Sequence, residues 1–424
     1  MPKEITLNHI TKIEGHAKLN LSMEGGKVTK CELSATEGSR YFEGIVRGRK
    51  YYEAHEMTSR ICGICSCAHV IAALSAVEDA LGVQISEQTY KLRELLTLGE
   101  RIRSHATHLY FLALPDYLGY ESALAMAPKY GKELKSALAM MKAGNGIIRL
   151  LGSRDLHPVS ATVGGWLKLP KQEQIDEIRK SLEQIRTDTV ETCELFSSFR
   201  YPKFETKGKF FSLINPKKYP MLEGSFGSDG GIFDKSKYSD FIKEYHEPYS
   251  SANFVVRQDK RYAVGALSRI NTSGKQLSKE GQKALKKSQI RENSKNPYHN
   301  NMAQAIELVH YVGEGMKICE ELAIKDEKPV KANAGPGRGV GAIEVPRGTL
   351  WHEYSINSEG KITNANIITP TAQNLLNMQE DIREFVPSVA GRKKEEIIIQ
   401  VEKLIRSYDP CFSCSAHFLE VKWA

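Results

Sequence analysis

Two cysteine pairs, Cys62-Gly-Ile-Cys65 and Cys411-Phe-Ser-Cys414, constrain this chain more than any other feature. Two intervening residues let both sulfurs of a pair face one way, so the pairs together can present four thiolates to one metal. They stand near opposite ends of a 424-residue chain. Small zinc modules join their halves over short stretches, whereas this spacing closes a site only after nearly the whole chain has folded. Four-thiolate zinc is the commoner use of the spacing, and a thioredoxin-like pair lacks the βαβ context it needs. Arg60 before the first pair, Asp409 and Pro410 before the second, and His417 after it are more than a zinc ribbon uses. A helix starting after Cys65 would aim its positive end at the first pair and lower its thiol pKa values. Thiolates also suit iron and nickel.

Eight cysteines are too few for a disulfide scaffold, and the other four (Cys31, Cys67, Cys193 and Cys319) are scattered as core residues would be. With 41% hydrophobic and 26% charged residues the chain has the apolar content of a folded protein, which excludes disorder. No apolar run reaches the roughly 18 residues of a membrane helix, and Met1 to Ile5 hold no apolar signal core, so no membrane span and a cytoplasmic location are expected. The net charge of +8 is concentrated in Lys275, Lys279, Lys283, Lys286, Lys287, Arg291 and Lys295. No aromatic residues interleave them, so the segment reads as a solvated helical hairpin or an electrostatic docking face, and no nucleic acid is expected.

Alternation around Ala17 to Leu21 and the Gly25-Gly26 turn predict a small antiparallel sheet within residues 1–55. Helical periodicity then takes over, with Ala68, Ile71, Leu74, Val77 and Leu81 on one face before Gly82. Further helices are predicted at 87–113, 127–151, 171–199, 300–324, 372–385 and 393–407. Residues 201–299 read as an irregular, basic, β-containing insertion. Gly335, Gly337, Gly339 and Gly341 lack the strand–loop–helix context of a phosphate loop and read as a tight approach near the active site. The expectation is an α+β, mainly helical single domain over 1–424: a bundle core of long helices in 56–200 and 300–417, a small N-terminal sheet and the insertion.

Arg60-Ile-Cys-Gly-Ile-Cys65 and Asp409-Pro-Cys-Phe-Ser-Cys-Ser-Ala-His417 resemble the two signature motifs of the nickel–iron hydrogenase large, catalytic subunit. Thr11-Lys-Ile-Glu-Gly-His16, Arg40-Tyr-Phe-Glu43, Gly152-Ser-Arg-Asp-Leu-His-Pro158, Glu344-Val-Pro-Arg-Gly348 and Thr369-Pro-Thr371 also look familial and follow the family's order. Leu114-Pro-Asp-Tyr117 and the stretch from Leu151 to Gly165 most resemble the cytosolic, multisubunit, NAD(P)-linked group that includes sulfhydrogenases. A non-catalytic structural subunit of a redox complex, or a structural zinc protein, is the alternative.

The resemblance implies reversible heterolytic cleavage of dihydrogen at a nickel–iron centre whose iron carries carbon monoxide and cyanide. In that reading Cys62 and Cys411 bind nickel terminally, and Cys65 and Cys414 bridge to iron. The Cys414 thiolate is the first proton acceptor, Arg347 stands over the open face, and Glu14 relays protons. Glu43, the main-chain carbonyl of Ile367 and His417 hold magnesium or another divalent ion. Asp409, Arg347, Pro346 and Thr371 surround the diatomic ligands. Ser104 departs from the pattern, standing where many relatives place an aspartate beside the arginine, which leaves Asp409 as its charge partner. His105 and His108 share a helix face and read as packed imidazoles. With four cysteines committed, no iron–sulfur cluster is expected in this chain. The implied partners are an iron–sulfur small subunit, a diaphorase module with flavin and NAD(P), and a maturation chaperone and endopeptidase. The endopeptidase would remove Phe418 to Ala424, so mass spectrometry of active protein is expected to show a chain ending at His417; activity in a chain retaining Ala424 would refute this.

Overall fold

The computed structural model describes residues 3–38 and 41–416 and is α+β, about half helical with several small sheets. Strands β1 (Lys3–Leu7), β2 (Ala17–Glu24) and β3 (Lys27–Ala35) form the predicted antiparallel sheet in that order. Alternate residues of β2, from Ala17 to Met23, point inward. They meet a second cluster built on two C-terminal helices, with Leu375, Met378, Ile382, Val401 and Leu404.

The main core is built from α1 (Ser66–Leu81), α2 (Glu87–Thr107), α3 (Gly131–Gly152), α4 (Gln172–Gln184), α5 (Arg186–Ser198) and α6 (His299–Glu321). Then follow β4 (Gly337–Val345), β5 (Gly348–Ile356), β6 (Ile362–Ile368), α7 (Pro370–Phe385) and α8 (Lys394–Ser407). β4, β5 and β6 form an antiparallel sheet in chain order.

Two predicted helices differ from expectation. The 171–199 stretch breaks at Ile185, whose φ of −94° and ψ of 0° leave the helical run. The 87–113 helix does not stop at 113: a π-helical turn, His108–Ala113, carries it into Leu114–Leu118, and Gly119 in the left-handed region (φ 76°) ends it. The basic segment holds a single helix, Lys279–Lys287, not a hairpin, and all seven of its predicted cations are exposed.

The glycines of β4 make the approach that orients the site. A Cβ on Gly337, Gly339 or Gly341 would run into the main chain of Ala80, Ala76 and Ala72 respectively. Two strand residues advance about 6.8 Å and four helical residues about 6 Å, so the two backbones stay in step. The strand runs antiparallel to α1, and its far end reaches Arg347 as the helix reaches back to Cys65. Gly339→Val is expected to lose about 1–3 kcal/mol or more in urea unfolding through overpacking. Gly335→Val is the matched control, since nothing lies within 4 Å of its Cβ position.

Candidate metal centre

Cys62 is extended after a short turn, Ser59–Ile61, and Cys65 caps the start of α1. Arg103 Nη2 donates to the Ile64 carbonyl at 2.5 Å, and the His157 main-chain N–H donates to Ser66 Oγ at 3.0 Å, bracing this loop. In the second pair Cys411 precedes and Cys414 lies within a helical turn, Phe412–Ser415, entered through Asp409, whose φ of 49° lies in the left-handed region.

Cys62 and Cys411 sulfurs are 3.6 Å apart, and those of Cys65 and Cys414 are 3.1 Å apart. The Cys411 and Cys414 sulfurs lie in bonding contact. All four ligand atoms fall within 4.8 Å of one another and all four residues are buried, the one such group of potential metal ligands among the described residues. A small cavity opens beside them, walled by Val345, Leu350 and Pro370 and by the polar Arg347 and Thr371. Four converging soft donors with room on one side suit a thiophilic transition metal that keeps an open coordination position.

The helix-end argument for low thiol pKa values does not hold. Glu100, reaching across from α2, takes the free N–H groups at the start of α1, from Cys67 at 2.7 Å and Ala68 at 3.2 Å. The hydrogen bond with Cys62, then burial, then the charges of Cys62 and Glu100 raise the Cys65 thiol well above its ordinary value. A bound metal would therefore have to favour the thiolate. The bystander cysteines are all buried, and burial pushes Cys31 and Cys319 up to about 12 and Cys193 to about 11.

Arg347 is buried, with Nε donating to the Asp409 carbonyl at 2.8 Å and Nη2 3.1 Å from Asp409 Oδ1. Its Nη1 has no hydrogen-bond partner. Burial opposes its charge, but Asp409 first, then Cys65, Cys62 and Glu14, raise its pKa further. Ser104 is buried with no partner for its hydroxyl, so Asp409 is the arginine's one ion-pair partner among the described residues. Thr371 Oγ1 accepts from the Cys411 N–H at 2.9 Å. Pro346 does not line the cavity; its carbonyl accepts from Arg269, and Pro370 is the proline on the cavity wall.

Glu14 is held by main chain and side chain together. It forms a parallel bridge with Cys411, and its carbonyl accepts from the Phe412 N–H at 2.9 Å. Gly15, at φ 81°, leaves no room for a Cβ beneath Ser413. Glu14 Oε2 lies 2.8 Å from Cys411 Sγ, and Ser413 Oγ donates to the same carboxylate at 2.5 Å. The carboxylate sequence reasoning assigned to proton relay thus adjoins Cys411, not Cys414. Beyond it, His16 is exposed, and its main-chain N–H donates to Glu37 at 2.8 Å.

At the other predicted ion site, Glu43 Oε1 accepts from the Ile367 N–H at 2.8 Å. His417 and the tail lie outside the described residues. The structure adds Glu244, whose carboxyl is pushed up to about 8 by burial and then by the charge of Glu43. Nothing in its sequence context singles it out. His105 and His108 do not converge on a metal: one pairs with Glu307 at 2.8 Å, the other with Gln304 at 2.5 Å.

The sequence matches the nickel-dependent hydrogenase family over residues 40–146 and 248–417, which contain both cysteine pairs and Arg347. Sulfhydrogenase 1 subunit alpha of Pyrococcus furiosus is 34% identical, over 98% of each chain. NAD-reducing hydrogenase HoxS subunit beta of Cupriavidus necator is 26% identical, over 99% of this chain and 96% of that one. Among solved structures, an NAD+-reducing [NiFe]-hydrogenase in the H2-reduced state superposes with a TM-score of 0.88 at 24% identity, covering 98% of this chain and 99% of that one. Among the described residues no helix is long and apolar enough to cross a membrane.

Glu100→Ala would leave two buried N–H groups at the start of α1 without acceptors. A loss of about 1–3 kcal/mol per unsatisfied group is expected in urea unfolding, with a smaller loss for Glu100→Gln.

Proposed function

The chain belongs to the nickel-dependent hydrogenase family, and on that premise we propose that it is the catalytic subunit of a nickel–iron hydrogenase whose proton route begins at Cys411 and Glu14. Cys62, Cys65, Cys411 and Cys414 would hold the metals, with Cys65 and Cys414 bridging. When bound, the metal pair supplies the Lewis acidity that polarises dihydrogen. Cys411 takes the proton and passes it to Glu14 Oε2, 2.8 Å away, with Ser413 steadying the carboxylate. His16, exposed one residue beyond Gly15, is the outlet. Arg347 keeps its charge and offers Nη1 to the cavity as an electrostatic organiser rather than a base. The apolar wall of Val345, Leu350 and Pro370 keeps water from the reacting face.

The same cavity, with Arg347, Thr371, Thr369 and His69 among its lining, would suit iron-bound carbon monoxide and cyanide. Glu43, the Ile367 carbonyl and His417 would hold the divalent ion, and Glu244, close enough to feel the charge of Glu43, would add a second carboxylate. Electrons leave to an iron–sulfur small subunit, because the four remaining cysteines are scattered core residues. Its docking face is the loop over Gly63, where Leu156 (45% exposed) stands in solvent and Arg60 is exposed. The likeness to an NAD-reducing relative supports a further diaphorase module with flavin and NAD(P), and a cytoplasmic complex.

The observation that carries this reading is the Glu14 carboxylate oxygen 2.8 Å from the sulfur of Cys411. A structural zinc site or a silent subunit has no use for a proton acceptor there. Infrared bands of iron-bound carbon monoxide and cyanide, with nickel and iron in metal analysis, are expected of the purified complex; zinc alone would overturn the assignment. Glu14→Gln is expected to keep those bands and the metals but to slow hydrogen–deuterium exchange and turnover by about 10²-fold or more. Full activity in that variant would move the relay elsewhere.

A further inference from the structure

Asp409 is the residue through which the fold addresses Arg347, and its own hydrogen bonds lead back to α2. Asp409 Oδ2 can only accept from Gln304, so the Gln304 atom 2.9 Å away is the amide nitrogen. That turns Gln304 Oε1, also an acceptor, toward His108 Nδ1 at 2.5 Å. The other ring nitrogen, Nε2, lies 2.8 Å from the main-chain carbonyl oxygen of Arg406, a third acceptor. Both ring nitrogens therefore face atoms that have no hydrogen to give. Flipping the amide would set Gln304 Oε1 against Asp409, and only a protonated carboxyl could accept that arrangement. The Arg347 guanidinium 3.1 Å from Asp409 Oδ1 favours the carboxylate instead.

We infer that His108 carries a hydrogen on both ring nitrogens and that, with Gln304, it is a positioning residue for Asp409 and hence for Arg347. His108 Nε2 is 3.9 Å from Asp409 Oδ1, so the carboxylate stands between two cationic groups, Arg347 and His108. All four residues are at most 5% exposed. His108 still donates its main-chain N–H to the Ser104 carbonyl in the α-helical register, and it opens the π-helical turn that follows. Ser104, one turn earlier, presents a buried hydroxyl with no partner. Where a second carboxylate would have clamped the arginine from the far side, this chain clamps the single carboxylate. Gln304 fixes Asp409 by Oδ2, the Asp409 carbonyl holds Arg347 Nε, and Oδ1 faces Arg347 Nη2 as an ion pair, which leaves Nη1 for the cavity.

The consequence for turnover rests on the hydrogenase reading, whereas the hydrogen count on His108 does not, and the two are tested separately. Neutron diffraction from deuterium-exchanged holoenzyme is expected to show deuterium on both Nδ1 and Nε2 of His108; a bare Nδ1 would overturn the inference whatever the metals do. In Gln304→Met, which keeps the bulk and removes donor and acceptor, nickel and iron content is expected to stay at the wild-type level. The carbon monoxide and cyanide bands are expected to move, and turnover to fall on the order of tenfold to a hundredfold as the guanidinium drifts. Unmoved bands and unchanged turnover in a metal-replete Gln304→Met protein would show that Asp409 needs no such support.

Discussion

The contact between the glycines of β4 and the alanines of α1 sets the distance on which everything at the metal centre depends. Side chains normally hold a strand and a helix about 10 Å apart, and here hydrogen atoms alone intervene. Because the two elements run antiparallel, the end of the strand and the start of the helix arrive at one place. Cys65 and Arg347 are thereby neighbours before any side chain of the site is considered. The four sulfurs then add donors to a geometry already fixed by backbone packing.

Polar groups hold the turn that follows β4. Arg269, fully buried, donates to the Val345 and Pro346 carbonyls at 2.8 and 3.0 Å and pairs with Glu344 and Glu307. Arg101 reaches the Glu344 carbonyl, and Tyr219 and His105 complete the shell of Glu307. Two arginines against two glutamates leave this interior network near neutrality. Such networks add little net stability but penalise every arrangement that strands a charge, so they specify one conformation of the turn carrying Arg347.

Helix positions and the two cysteine pairs were legible because both are local patterns: a period of 3.6, and two residues between ligands. Gly337, Gly339 and Gly341 were legible as a close approach, whereas Gly335 stands in open space; which helix they approach was not legible, since spacing within one strand carries no information about its partner. The break at Ile185 and the π-helical turn at His108 left no mark, because one altered dihedral or one added residue per turn hardly disturbs apolar periodicity. Glu100, Gln304 and Glu244 escaped notice for a different reason. Each acts through partners far away in sequence, and a lone Glu or Gln on a helix or short strand looks like any solvated residue. The helix-end argument at Cys65 failed on the same ground, since the carboxylate occupying that helix end comes from another helix. Nor does spacing reveal the bridge by which Glu14 touches Cys411.

That bridge also bears on how the molecule comes into being. Cys411 lies 397 residues from Glu14 and 349 from Cys62, so the donor set and the carboxylate beside it join segments far apart in the chain. A nascent or truncated chain can bury most of its apolar surface and still own only half of each pairing. Ordering the two ends against each other costs loop entropy that only the finished core can offset. The four cysteines thus act as a clasp, and their meeting registers that the long stretch between the two pairs has folded.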